Sequence, residues 1–141
     1  VGFVCGAAML FRMHRFEPVG FFDERFFLYY EDDDLCLRLF NARRPMVLLP
    51  DIQAVHRSRG SVKGRSPLKS EYVRGFHHAQ SKLIFEQKHG SRARALSQRR
   101  SLLLSTSLAL PLRVVLFSPK RIARMAGRWM GLLRWQADEP M

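Results

Sequence analysis

The reading turns on residues 20–38, GFFDERFFLYYEDDDLCLR. An aromatic run from Phe21 to Tyr30 leads directly into four consecutive acids, Glu31 to Asp34. So dense an aromatic run could hardly be left in water, because large contiguous apolar patches are rare on soluble surfaces. The acids open a predicted helix that runs to about Arg43, with Leu35, Leu37, Leu39 and Phe40 supplying its apolar contacts. Carboxylates in a first turn meet the orphan N–H groups and the positive end of the helix dipole. Asp34 and Arg38 stand one turn apart and can pair. Pro45 then ends the helix.

Working outward, Val1 to Phe11 is almost continuously apolar, punctuated by Gly2 and Gly6. It is too short to span a bilayer and lacks the flanks of a signal peptide. Val, Phe and Cys among small residues predict a strand buried on both faces, as in a parallel or mixed sheet. Residues 46–50 and 52–55 read as further short strands, the second ending at His56. Because the chain starts inside an apolar run, without an initiator Met, it reads as a piece of a longer protein.

Composition bounds the rest. The 141 residues are 47% hydrophobic and 11% aromatic, which excludes a fully disordered chain. Cys5 and Cys36, with no CxxC spacing, argue against a disulfide scaffold or a zinc module and suit inert thiols in a reducing compartment. The net charge of +12 is uneven: residues 1–56 hold six Arg against eight acids, residues 57–141 eighteen Lys/Arg against four.

The basic part opens with a Gly/Ser/Arg/Lys loop over 57–66, followed by a predicted helix from Ser70 to His89 closed by Gly90. Leu102 to Phe117 is apolar but short for a membrane span, and Pro111 and Arg113 interrupt it. After Pro119 an amphipathic helix sets Ile122, Met125, Ala126, Trp129, Leu132 and Leu133 on one face. Lys120, Arg121, Arg124, Arg128 and Arg134 fall on the other. Nucleic-acid binding would call for stacking aromatics interleaved with the cations, or a known module, and neither is apparent, although Trp129 and Trp135 lie among arginines. The expected partner is an anionic membrane surface, reached through residues 101–135, with no nucleic acid. The plainer alternative is that the apolar face packs on protein.

The acidic cluster supports several chemistries. Four adjacent carboxylates repel, so one that is partly desolvated has a raised pKa and can act as a general base. The same oxygens suit a hard divalent cation, and His56, between a strand and a Gly/Ser loop, could complete such a site. The alternative for the acids is plain helix capping, and for His56 an ordinary surface residue.

The run from Gly20 to Arg38 resembles the "GGFDExFFxYxEDxDLxxR" signature of family 2 glycosyltransferases, in particular the rhamnosyltransferase-like branch that builds O-antigen and other cell-wall polysaccharides. Gly6-Ala7-Ala8-Met9-Leu10 with Arg12 resembles the strand that precedes the signature. Pro50-Asp51 to Val55-His56, then Gly60-Ser61, is similar to the family's "PxAxVxHxxGxS" segment, and Lys88-His89 falls at its "KH" pair. Phe21 stands in place of the second Gly, Arg44-Pro45 near the usual Gly after the helix, and Asp33 where an apolar residue is common.

The resemblance implies an α/β fold, the C-terminal part of a Rossmann-like (GT-A) domain, followed by amphipathic helices. Residues 1–90 would form the acceptor-side half of the catalytic domain and 91–141 a basic, membrane-associated helical tail. The implied activity is inverting transfer of a sugar from a nucleotide-sugar donor, such as dTDP-rhamnose, to a saccharide or lipid-linked acceptor. It would take place at the cytoplasmic face of the plasma membrane. Asp32 would be the base with Glu31 beside it. Phe27, Tyr30, Asp34, Arg38, Arg59 and Ser61 would contact substrate, and His56 would be a metal ligand. A divalent metal (Mg or Mn) would be held mainly by an N-terminal half that is absent here, leaving this piece inactive alone. The rivals are a non-catalytic basic module that binds membrane or nucleic acid, and a metal-dependent hydrolase built on the acids and His56.

Overall fold

A computed structural model describes residues 1–55 and 66–137. Its elements are a 3-10 turn at Met13–Arg15 and four helices: α1 (Glu31–Asn41), α2 (Pro67–His89), α3 (Arg92–Val115) and α4 (Pro119–Arg134). His56, Arg59 and Ser61 lie outside the described residues.

The expected α/β, Rossmann-like GT-A architecture is overturned. Among the described residues there is no strand, and the regular structure is helical throughout. A strand exists only through a neighbour that takes up its N–H and C=O groups, and the backbone of the first segment is bound elsewhere. The Val1 ammonium donates to the Met46 carbonyl at 2.9 Å, the Val4 N–H to Cys36 Sγ at 3.4 Å, and the Gly6 N–H to Asp32 Oδ2 at 3.0 Å. The apolar run thus drapes over α1 instead of pairing. Met9 and Phe11 pack with Val19 and Met46 around a small core of Phe16, Leu35 and Leu39. Val47, Leu48, Leu49, Ile52 and Val55, also read as strand residues, stay exposed.

The helices begin where local chemistry places them. Ser66 caps α2 by accepting the Lys69 N–H, with Pro67 in the first turn, and Ser91 caps α3 by accepting the Arg94 N–H at 3.1 Å. Gly90 ends α2, its N–H donating to the Glu86 carbonyl.

Helices α2, α3 and α4 pack as a three-helix unit. Its core is Ala79, Leu83, Ala95, Leu132 and Trp135. α4 runs parallel to α2, since Tyr72 faces Gly127 and Phe76 faces Gly131. The crossing is tight enough that a methyl group at Gly75, Gly127 or Gly131 would run into the backbone carbonyl of Arg124, Tyr72 or Phe76 respectively. Small residues spaced four apart let two helix backbones approach in this way, as Gly127 and Gly131 do here. α3 is antiparallel to α4: Arg99 donates to the carbonyls of Leu132 and Leu133, and Trp129 Nε1 to Ser107 Oγ.

Candidate functional site

The site is built around the start of α1. Before it, the Phe26 N–H closes a turn onto the Asp23 carbonyl, which buries the Phe26 ring and turns Asp23 inward. Tyr29 and Tyr30 then both adopt the left-handed conformation, at φ 70° and 67°. That region costs a bulky side chain roughly 1–2 kcal/mol per residue, and such outliers cluster at functional sites. The surroundings hold the kink: Ser81 Oγ on α2 donates to the Leu28 carbonyl at 2.9 Å, and the Asp34 N–H donates to the Tyr30 carbonyl. Tyr30 lies against His78 and Phe85, while Phe27, 73% exposed, tilts over His77 at 4.4 Å.

Asp34 is the centre of a buried ion network. Its side chain is fully buried, with Lys88 Nζ and His89 Nε2 each 2.7 Å from Oδ1 and Arg38 Nε 2.9 Å from Oδ2. Burial alone would raise this carboxyl's pKa, but the hydrogen bonds from Lys88, His89 and Arg38, with the Arg38 charge, outweigh it and hold the pKa below the ordinary value. Lys88 Nζ also reaches Asp23 Oδ2 at 2.7 Å. Asp23 is held well below the usual carboxylate range, chiefly by its bidentate pairing with Arg25 and also by Lys88. Arg38 donates onward to the carbonyls of Val19, Gly20 and Phe21. One buried carboxylate therefore ties the aromatic loop, the first helix and the end of α2 together.

The other three acids have separate surroundings. Asp32 accepts the Gly6 N–H at Oδ2 and the Asp33 N–H at Oδ1. Asp33 forms part of the wall of a shallow apolar groove with Phe3, Cys36, Leu37, Phe40 and Phe85, and burial followed by the Asp32 charge raises its pKa. Glu31 is also raised, first by burial and then by the charges of Asp32 and Asp33. Its Oε2 is shielded from solvent and has no hydrogen-bond partner. No three His, Cys, Asp or Glu side chains among the described residues converge on a point that could hold a metal ion.

The candidates named from sequence are thus distributed unevenly. Asp34 and Arg38 meet in one salt bridge, and Glu31 and Asp32 follow Tyr30 directly. Phe27 is engaged by α2. Sequence reasoning missed Asp23, Ser81 and His77, and assigned no role to Lys88 or His89. The separations, 53 residues for Leu28–Ser81 and 55 for Asp34–His89, carry no local signal. The sequence signal for that corner is the Lys88-His89 pair, which falls at the "KH" pair of the family the run resembles.

Two relatives from Mycobacterium tuberculosis, strains CDC 1551 / Oshkosh and ATCC 25618 / H37Rv, are 35% identical to this chain over 95 residues. Each is named N-acetylglucosaminyl-diphospho-decaprenol L-rhamnosyltransferase. Over that stretch the chain is similar to proteins named as glycosyltransferases. The matched stretch is 67% of this chain but only 30% of each relative, so the likeness spans less than a third of their length. No family model matches the chain, and no solved structure matches it.

Proposed function

We propose that the protein transfers a sugar, L-rhamnose in the first instance, from a nucleotide-sugar donor such as dTDP-rhamnose to a hydroxyl of a lipid-linked saccharide. The reading rests on the 95-residue likeness to the two rhamnosyltransferases, whose names give an acceptor of N-acetylglucosaminyl-diphospho-decaprenol. Two features of α1 support it. A pair of carboxylates, Glu31 and Asp32, opens the helix beside a strained aromatic turn, and the buried Asp34 network fixes that turn.

In the proposed reaction Asp32 takes the proton from the acceptor hydroxyl as its oxygen attacks the anomeric carbon. The bond to the nucleotide diphosphate breaks and the anomeric configuration inverts. Glu31, desolvated and with a free oxygen, supports the acid–base step. Tyr30 and Phe27 offer aromatic faces to the acceptor. Asp34 and Arg38, assigned to substrate by the resemblance, are proposed to act by holding the loop. Donor and divalent-metal binding are assigned to residues outside those described. The proposed place of action is the inner face of the plasma membrane, where a lipid-linked acceptor is reached from the cytoplasm.

The test is transfer of labelled rhamnose to a polyprenyl-diphosphate-linked N-acetylglucosamine by the intact protein. Asp32→Asn is expected to lower turnover by about 100- to 10,000-fold, the usual contribution of a positioned base. Normal turnover by Asp32→Asn would discard the base assignment. No transfer by the wild type from any nucleotide sugar would discard the function.

A further inference from the structure

We propose that the end of α3 and the turn into α4 form a tip that inserts into the acyl region of an anionic lipid surface. Leu104, Leu108, Leu112 and Val115 recur at spacings of four, four and three, which puts them on one face of α3. They are 64, 71, 59 and 73% exposed. The stripe runs into Leu116 and Phe117 in the turn, and Phe117 is 90% exposed. Towards the other end of α3 the same face carries Ser97, Arg100 and Ser101, so the apolar character is confined to the tip end.

The fold leaves this stripe uncovered. α3 turns Leu102, Leu103 and Thr106 towards the bundle. The face of α4 read from sequence as membrane-facing is partly engaged within the protein. Leu132 is in the core, and Trp129 is hydrogen-bonded to Ser107 on α3. A helix lying flat on its Ile122–Leu133 face is therefore not the geometry offered. A tip entering edge-on is.

Charge identifies the occupant. From Ser91 to Ala137 there are ten Lys/Arg and no acid, and Lys120 and Arg121 are exposed immediately beyond the turn. A second copy would bring the same positive charge against itself. Nucleic acid would stack on aromatics, whereas the stripe is aliphatic apart from Phe117. An anionic bilayer accepts both parts, with aliphatic side chains below the headgroups and cations among the phosphates. No helix among the described residues is long and apolar enough to cross a membrane, so the association is with one surface. This inference stands independently of the sugar-transfer reading.

The test is co-sedimentation of the full chain with vesicles of phosphatidylcholine plus phosphatidylserine, and with phosphatidylcholine alone. Wild type is expected to prefer the anionic vesicles. The triple variant Leu108→Ser, Leu112→Ser, Phe117→Ser is expected to lose about 100-fold or more in partitioning, from apolar side chains no longer buried in lipid. These residues are exposed, so helix content by circular dichroism should be unchanged. Lys120→Glu with Arg121→Glu should lose at least about 30-fold on anionic vesicles, and little on neutral ones. Equal binding by wild type and the Ser triple overturns the proposal. So does equal wild-type binding to both vesicle types. A Ser triple that changes only self-association or RNA binding, with vesicle binding intact, assigns the stripe to a second copy or to nucleic acid and overturns it as well.

Discussion

Asp34→Asn keeps the shape of the side chain and removes the charge at the centre of the buried network. The carboxylate is fully buried, and its two oxygens face Lys88, His89 and Arg38 at 2.7–2.9 Å. Removing one partner from a buried ion pair costs about 3–5 kcal/mol, because the remaining charge is desolvated without compensation. Here Lys88 keeps Asp23, Arg38 keeps its loop carbonyls, and the two side chains are 22 and 17% exposed. The lower end, about 3 kcal/mol, is therefore expected. With a urea slope of about 1–3 kcal/mol/M, the unfolding midpoint should fall by roughly 1–3 M. The pH dependence supplies a second check. Because the Asp34 pKa is lowered on folding, its contribution is complete above the ordinary value of 3.8 and is lost as pH falls through the folded value. The gap between wild type and Asp34→Asn should not shrink from about pH 7 to pH 5 and should close only in stronger acid. A midpoint shift under about 0.3 M, or a gap that shrinks between those two pH values, would refute the network as the anchor of the loop.

Gly127→Ala places a methyl group against the Tyr72 carbonyl, so α4 must lift from α2; a loss of about 1–3 kcal/mol is expected, read as a lower Tm. Glu31→Gln should raise Tm at neutral pH, because a carboxyl whose pKa is raised on folding gives stability only below its ordinary value of 4.5 and loses it as pH rises through the folded value. The gain should vanish at about pH 4, and a gain independent of pH would contradict the assignment. Thiol titration should find Cys5 reactive in the folded chain and Cys36, 2% exposed with its thiol pushed up by burial, reactive only in denaturant. Two equally fast thiols would show that the first segment does not stay on α1.

The parts of this fold legible in the sequence are those set by local chemistry. The acids at Glu31, the Gly90 stop and the breaker Pro119 mark ends of α1, α2 and α4, because caps and missing N–H groups act within one turn. The Asp34–Arg38 pair is legible for the same reason. What fails is inference from apolar composition to strand. An apolar run predicts that a segment seeks cover, but the ladder that makes it a strand needs a partner, and of Val1 to Phe11 only Val4, Met9 and Phe11 are half-buried while Val1, Phe3 and Leu10 stay exposed. The tight α2–α4 crossing did leave a signal, Gly127 and Gly131 four residues apart, which a reading of apolar faces alone passes over. Pro111 inside α3 shows the reverse limit: a breaker is tolerated within the helix where it sits exposed.

The acidic run shows why spacing, more than residue type, governs what such a cluster can do. Successive residues on a helix are rotated by about 100°, so four consecutive acids point around most of the circle and cannot act on one atom together. Only the first and fourth share a face, and here the fourth, Asp34, is already saturated by Lys88, His89 and Arg38. Asp32 is turned to the draped first segment and Asp33 to the apolar groove. Glu31, at the kink after two left-handed tyrosines, keeps a solvent-shielded oxygen free of protein partners. The same rotation that prevents a shared metal site gives each acid its own environment. The network around Asp34 then holds the turn on which Glu31 and Asp32 are presented.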